Sequence, residues 1–426
     1  MNNPIATGPY TTRRWLRRGS LVLTAASVAV LAGCALIGSR PVPIPPPVVK
    51  VAPPPAPPKP QLAASIDTHR FVLADSRQDV VGTVQVTIAT QPDTLSDIAR
   101  RFNVGFDEIV HANPSVDAWI PGAGTHVVVP TQFVLPDAPH EGIVINVAAL
   151  RLFYFPKHKA GTPQVVYTYP IGIGKAGWNT PQGVTKVVAR VPNPTWRPSL
   201  ALRRDHFKDN GVALPAVVGP GPDNPLGKFE FRLGWPSYLI HGTNLPYGVG
   251  LRSSHGCVRL YPEDIEKLFR MVPVGTPVRV VNQPFVMGWR DGELYLQAYV
   301  VLKDDRRDWK HARRRLLTQE LPHWMSQRLH ADGLQIDWQS VQAVAAQPRG
   351  IPVPVTGANA GAGVEAVLAS APTVQNRIPD GADWDGKDDG GPDAKSARAV
   401  LSDLEPTAAP VPAARAPARS ASAHGT

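Results

Sequence analysis

The chain has 426 residues and a formal net charge of +10, and its 47 Pro and 36 Gly are unevenly spread. That length allows two or more domains, and the positive balance favours polyanionic surroundings such as envelope polymers or acidic lipids. Nucleic acid is excluded as a partner, because no helix-turn-helix, zinc-finger or RNA-binding signature accompanies the charge.

In chain order, Arg13, Arg14, Arg17 and Arg18 precede an apolar run over 21–31. The run is too short for a permanent span and reads as a signal-peptide core. It ends in Leu31-Ala32-Gly33-Cys34, which resembles the lipobox of bacterial lipoproteins. The resemblance implies a signal over 1–34 and lipid attachment at Cys34. Arg13-Arg14 also loosely resembles a twin-arginine signal, and either route exports the chain. The expected location is the periplasm or cell envelope, on a lipid anchor. Ala35 rather than Asp follows Cys34, which by analogy with lipoproteins favours the outer membrane over the inner.

Residues 35–82 read as a Pro-rich linker, with Pro, Val and Ala dominating 41–60, an extended spacer without a core. A small domain is expected over 83–131. Val84, Val86 and Ile88 alternate as a strand does. Thr94 and Asp97 form a capping-box pair, and Leu95, Ile98, Ala99 and Phe102 make one helical face. Phe106, Ile109 and Val110 suggest a second short helix, and Val127 to Val129 a closing strand. The residues Gln91-Pro92-Asp93-Thr94-Leu95, Ile98-Ala99-Arg100-Arg101-Phe102, Ala112-Asn113-Pro114 and Pro121-Gly122 resemble the LysM module. That resemblance implies a βααβ fold that binds glycan strands of peptidoglycan.

A strand-rich domain is expected over 141–283. Its strands are read at 143–147, 152–155, 165–169, 184–191 and 237–240, punctuated by Gly and Pro turns such as Thr180-Pro181-Gln182-Gly183. This pattern argues a mainly β sandwich or barrel. One helix stands out, with Pro262 at its first position, Glu263 and Asp264 in its first turn, and Ile265, Leu268 and Phe269 on one face. Residues 284–347 read as a C-terminal extension, a hairpin over 285–301 and a basic helical region over 306–330 that packs. Residues 348–426, rich in Ala, Pro, Gly and Ser, are expected to be disordered. The acidic cluster at 383–389 does not make a calcium loop, because Lys387 sits where an oxygen ligand is needed.

The chemistry concentrates in Leu239-Ile240-His241-Gly242-Thr243-Asn244 and Ser253-Ser254-His255-Gly256-Cys257-Val258-Arg259-Leu260. The chain holds 2 Cys. With Cys34 lipidated, Cys257 is a lone thiol, a liability in an oxidising compartment unless it reacts. A nearby imidazole can hold its proton and lower its pKa. Spacing favours His255 as base if the segment is a strand. Gly256 marks a loop instead, and His241 could then face Cys257 across a sheet; spacing leaves both open. Gly256 also lets backbone amides approach a reacting carbonyl, as an oxyanion hole requires. Zinc is excluded, since one Cys and two His lack a fourth ligand at any usual spacing.

His241-Gly242-Thr243 and Ser254-His255-Gly256-Cys257 with Arg259 resemble the YkuD-type L,D-transpeptidase signature. Pro192-Asn193-Pro194-Thr195-Trp196 and the turn over 219–227 resemble its ErfK/YbiS-like branch. The resemblance implies a YkuD-like β domain in which Cys257 is the nucleophile, His241 the base, and the Gly242 carbonyl the group that orients it. Ser254, His255 and Gly256 would shape the active-site loop, with Arg259 and Thr243 toward substrate. Arg259 departs from the Asn of many members. The implied reaction needs no cofactor: a stem tetrapeptide acylates the thiol, and an amine accepts the acyl group. That amine would be the diamino acid of another stem, giving a 3-3 cross-link, or a lysine of an envelope lipoprotein. Two rival readings remain, a cysteine L,D-carboxypeptidase with water as acceptor and a non-catalytic LysM anchoring lipoprotein.

Overall fold

The computed structural model describes residues 62–379, apart from 65, 75–77, 92, 312–314, 316 and 318–322. The leader, Cys34, most of the linker and the 383–389 cluster lie outside the described residues. Those described fall in one unit, Pro60–Thr426.

The N-terminal elements are β1 (Arg70–Val72), β2 (Val80–Gly82), β3 (Gln85–Ile88), α1 (Leu95–Arg101), α2 (Phe106–Ala112), β4 (His126–Val129) and β5 (Gln132–Val134). From β3 to β4 the order is strand, helix, helix, strand, with Val86 opposite Val128 in an antiparallel pair. Thr94 Oγ1 accepts from the Asp97 N–H at 3.1 Å, and Asp97 accepts from the Thr94 N–H at 2.8 Å. This reciprocal cap stabilises α1 by about 1 kcal/mol. Leu95, Ile98, Ala99 and Phe102 form the core of the small unit with Ile109, Val127 and Val129.

The linker expected to run to 82 ends sooner. β1 pairs with a strand that starts at Val165, and β2 pairs with β5. Leu73, Val80 and Val81 give this segment apolar surface to bury, and all three are in the core.

The central elements are β6 (Gly142–Asn146), β7 (Arg151–Phe155), β8 (Val165–Pro170), β9 (Ile173–Gly174), β10 (Gly183–Pro192), α3 (Leu200–Asn210), β11 (Phe229–Leu233), β12 (Leu239–His241), β13 (Arg252–Ser254), β14 (Val258–Arg259), α4 (Pro262–Met271) and β15 (Pro277–Val281). Together with β1 they build a curled nine-stranded sheet, ordered β1-β8-β7-β6-β15-β10-β11-β12-β14, beside the parallel pair β9–β13. Within the large sheet β6–β15 and β12–β14 are parallel. The domain is mainly β, as its turn spacing predicts. β6 and β7 are buried on both faces. Ile143, Ile145, Leu152 and Tyr154 enter the main core, while Val144, Phe153 and Phe155 pack with Phe133 and Leu135. The helix read at 262 is α4: Pro262 occupies its first turn, Ile265 and Leu268 are buried, and Phe269 stacks near Phe229 and Phe231 at 4.6 and 5.4 Å.

The C-terminal elements are β16 (Phe285–Arg290), β17 (Glu293–Ala298), α5 (His323–Ala331), α6 (Trp338–Ala346), β18 (Val353–Pro354), α7 (Gly363–Ser370) and β19 (Thr373–Val374). The expected hairpin is β16–β17. The expectation of disorder from 348 onward fails for the described part. β18 joins β17, and β19 adds to β3 as a parallel strand. Ile351, Val353, Val355 and Val374 are each at most 1 % exposed, so these few apolar residues order a segment whose average composition is that of a tail.

Buried ion pairs tie the small unit to the large sheet. Glu108 on α2 accepts two bonds from Arg151 of β7, both at 2.8 Å, and Arg100 on α1 donates two to Glu263 of α4, both at 2.9 Å. The Phe106 and Asp107 amides donate to Val249 and Gly250 carbonyls at 3.2 Å. A Cβ on Gly250 would lie 2.2 Å from the Phe106 nitrogen, so this contact requires glycine. The start of α2 thereby fixes the loop between β12 and β13.

Candidate active site

β11, β12 and β14 lie side by side. Phe231, Ile240 and Val258 stand in one row across them, and Glu230, His241 and Arg259 in the next. Side chains alternate between the faces of a sheet. Phe231, Ile240 and Val258 face the core, each at most 2 % exposed, so Glu230, His241 and Arg259 form a row on the opposite face. Cys257 immediately precedes β14. Its thiol is half-buried and donates to the Ser237 carbonyl at 3.7 Å.

The loop that carries Cys257 is locked by short contacts. Ser254 Oγ donates to the Cys257 carbonyl at 2.6 Å and accepts from the Gly256 N–H at 3.2 Å. Thr180 Oγ1 donates to the Gly256 carbonyl at 3.0 Å. Gly256 has φ +103°, and a Cβ there would meet the Tyr238 ring at 2.9 Å. Only glycine meets both conditions.

His241 is 4 % exposed, and its Nδ1 lies 2.6 Å from the Gly242 carbonyl. A carbonyl only accepts, so Nδ1 carries the hydrogen and Nε2 is left as a proton acceptor. Burial, aided by the Arg259 charge and opposed by the Gly242 hydrogen bond, pushes the His241 pKa down to about 3. Burial pushes the Cys257 thiol up; the Leu239 backbone and Arg259 oppose this, and Glu230 adds to it. The sequence leads one to expect an imidazole that lowers the thiol pKa. In the resting site both groups are neutral instead, because burial penalises each charged form.

His255 turns to other partners. Its Nε2 lies 2.9 Å from Asp205 of α3, and its ring meets Trp178 edge-on at 4.9 Å. Asp205 also pairs with Lys175 at 2.9 Å. Arg259 donates to Ser253 Oγ at 3.4 Å, while its Nε is buried with no hydrogen-bond partner among the described residues. Thr243 is buried, and its hydroxyl accepts from the Leu245 N–H at 3.0 Å.

The YkuD family, described as the L,D-transpeptidase catalytic domain, matches residues 140–280. The probable L,D-transpeptidase ErfK/SrfK of Salmonella typhimurium is 40% identical over 283 residues, 65% of this chain and 88% of that protein. The chain belongs to the L,D-transpeptidase family. The probable L,D-transpeptidase YbiS of Escherichia coli K12 is 43% identical over 240 residues, 55% of this chain and 76% of the relative. The catalytic domain of the Enterococcus faecium L,D-transpeptidase, solved by NMR, aligns at 23% identity and TM-score 0.25, covering 34% of this chain and all of that one. L,D-transpeptidases act on peptidoglycan peptides, and this chain is such an enzyme.

The sequence motifs bring His241, Cys257 and Arg259 to one region but leave out other residues of the candidate site in this L,D-transpeptidase. Thr180 was visible only as part of a turn. Asp205 and Lys175, far from the motif in sequence, reach it through α3 and β9. Glu230 sits in Phe229-Glu230-Phe231-Arg232-Leu233, whose alternation marks a strand and could have placed it beside His241.

Proposed function

We propose that this L,D-transpeptidase uses Cys257 as nucleophile and His241 as base, and that an amine is its acceptor. One observation carries the reading: a neutral imidazole, fixed through Nδ1 to the Gly242 carbonyl, sits on the strand beside the one that Cys257 leads into. His255 is less suited to the role, because its Nε2 is engaged by Asp205. Attack moves the thiol proton to His241 Nε2 as sulfur bonds to the carbonyl carbon of a stem tetrapeptide. The terminal D-amino acid leaves with that proton. Arg259, with an unpaired buried Nε, suits a carboxylate of the donor. Gly256 and its locked loop suit an oxyanion site.

The acceptor is a stem diamino acid or a lipoprotein lysine. The β3–α1–α2–β4 unit is a LysM-type glycan-binding module, supported by its element order and its capping box. A lipid on Cys34 would hold the enzyme at the envelope. Incubation with tetrapeptide muropeptides tests the reading. Intact-mass analysis should find an acyl adduct on Cys257, and chromatography should find cross-linked dimers. Tripeptides alone would mean a hydrolase. An adduct that persists in Cys257→Ala would refute the assignment of the nucleophile.

A further inference from the structure

The row beside the nucleophile contains a charge that acylation does not explain. Glu230 is 2 % exposed and stands directly across β11–β12 from His241. On the other side of His241, in the same row, stands Arg259. His241 is therefore flanked by the side chains of Glu230 and Arg259 at neighbouring strand spacings. A buried carboxylate here opposes ionisation of the Cys257 thiol, so it works against the first half-reaction. The second half-reaction has a different need. Its nucleophile is an amine, which arrives as an ammonium and must lose a proton next to His241.

We infer that Glu230 is the acceptor-binding residue, and that it selects a cationic amine over water on the side of His241 opposite Arg259. The donor then lies toward Arg259 and the acceptor toward Glu230. In the resting site Glu230 is held by Arg232, whose Nε donates to it at 2.8 Å. The Arg232 side chain is 56% exposed and the Glu230 side chain 3%. Arg232 thus covers the carboxylate from the solvent side with an exposed cation that another cation can replace. The incoming ammonium takes its place. His241 Nε2 then accepts one proton from the ammonium, and the freed lone pair attacks the thioester carbon. The C–S bond breaks, and sulfur leaves with a second proton from the nitrogen. The products are amide, thiol and imidazolium, so protons and charge balance.

This inference rests on the proposed thioester at Cys257, and the test separates the two. Protein acylated by a tetrapeptide muropeptide is offered cadaverine, a cationic primary amine, or hydroxylamine, neutral at the same pH. Amide, hydroxamate and free tripeptide are counted by mass. Glu230→Gln should cut cadaverine transfer about tenfold relative to hydroxylamine, with donor acylation faster. Arg232→Ala, a change at an exposed position, should raise the cadaverine preference severalfold. Either result supports the acceptor role. A cadaverine-to-hydroxylamine ratio that stays at the wild-type value in Glu230→Gln overturns it; if that variant does not fold, an unchanged ratio in Arg232→Ala does so. Absence of any wild-type acyl adduct would instead sink the nucleophile assignment, before Glu230 is reached.

Discussion

Replacing His241 with Gln should flatten part of the acid sensitivity of folding. The folded pKa lies at about 3 against an ordinary value of 6.5. In the unfolded chain the imidazole binds a proton as pH falls through 6.5, while in the folded protein it stays neutral until far lower. Stability contributed by this group is therefore present above the unfolded value and is lost as pH falls from there toward the folded one. Going from neutral pH to about pH 4.5, the loss integrates to about 2.5 kcal/mol. Any folded value below about 4 gives the same figure, because the folded imidazole then binds almost no proton at pH 4.5. Equilibrium urea unfolding of the parent and His241→Gln, at neutral and at acid pH, measures it. The parent should lose about 2.5 kcal/mol more than the variant. Asp79, whose carboxyl burial pushes up to about 6, works in the opposite direction, but it is common to both proteins and cancels. Parallel pH dependences in the two proteins would show that His241 is not held neutral, and the assignment of its base form would fall with it.

Three further outcomes are expected. Gly256→Ala should fold but suffer about 1–3 kcal/mol of local strain from its positive φ, and its donor acylation, followed by intact mass, should drop by an order of magnitude or more. Glu108→Gln leaves the Arg151 charge buried without its partner and should cost about 3–5 kcal/mol in thermal or chemical unfolding. Pairing it with Arg151→Met should recover most of that loss. A chain stopped after Gln347 loses β18, α7 and β19; its melting temperature should fall, and limited proteolysis should reach the β3–β4 unit that the full chain protects.

The sequence announced the chemistry better than the architecture. His241, Gly256 and Cys257 stood out through their resemblance to the YkuD-type signature, and α4 because Pro262 and its acidic first turn mark a helix start. β11 was overlooked because Glu230 and Arg232 interrupt its apolar residues, although that interruption is what a one-sided strand looks like. The parallel pairing of β12 with β14 leaves no local trace, since the connection between them passes through β13 in another sheet. The order of the described residues within 62–82 and 348–379 was hidden for another reason. Each has only a handful of apolar positions, and their burial depends on partners far along the chain. Composition averages over a window; a strand that completes another sheet does not need a favourable average. Proposing His241 over His255 as base draws on the third dimension too, because Asp205 engages His255 Nε2.

The short strand β19 has a consequence for how the molecule is made. Thr87 Oγ1 donates to the Val374 carbonyl at a sequence separation of 287, and the two segments share a parallel ladder. An element near the beginning of the described chain therefore waits for one near its end. Closing so long a loop delays the rewarding contact until late, a topology associated with slow acquisition of the native state. During synthesis the strand edge at β3 stays open until β19 has emerged, and over that interval it is the place where a foreign strand could pair.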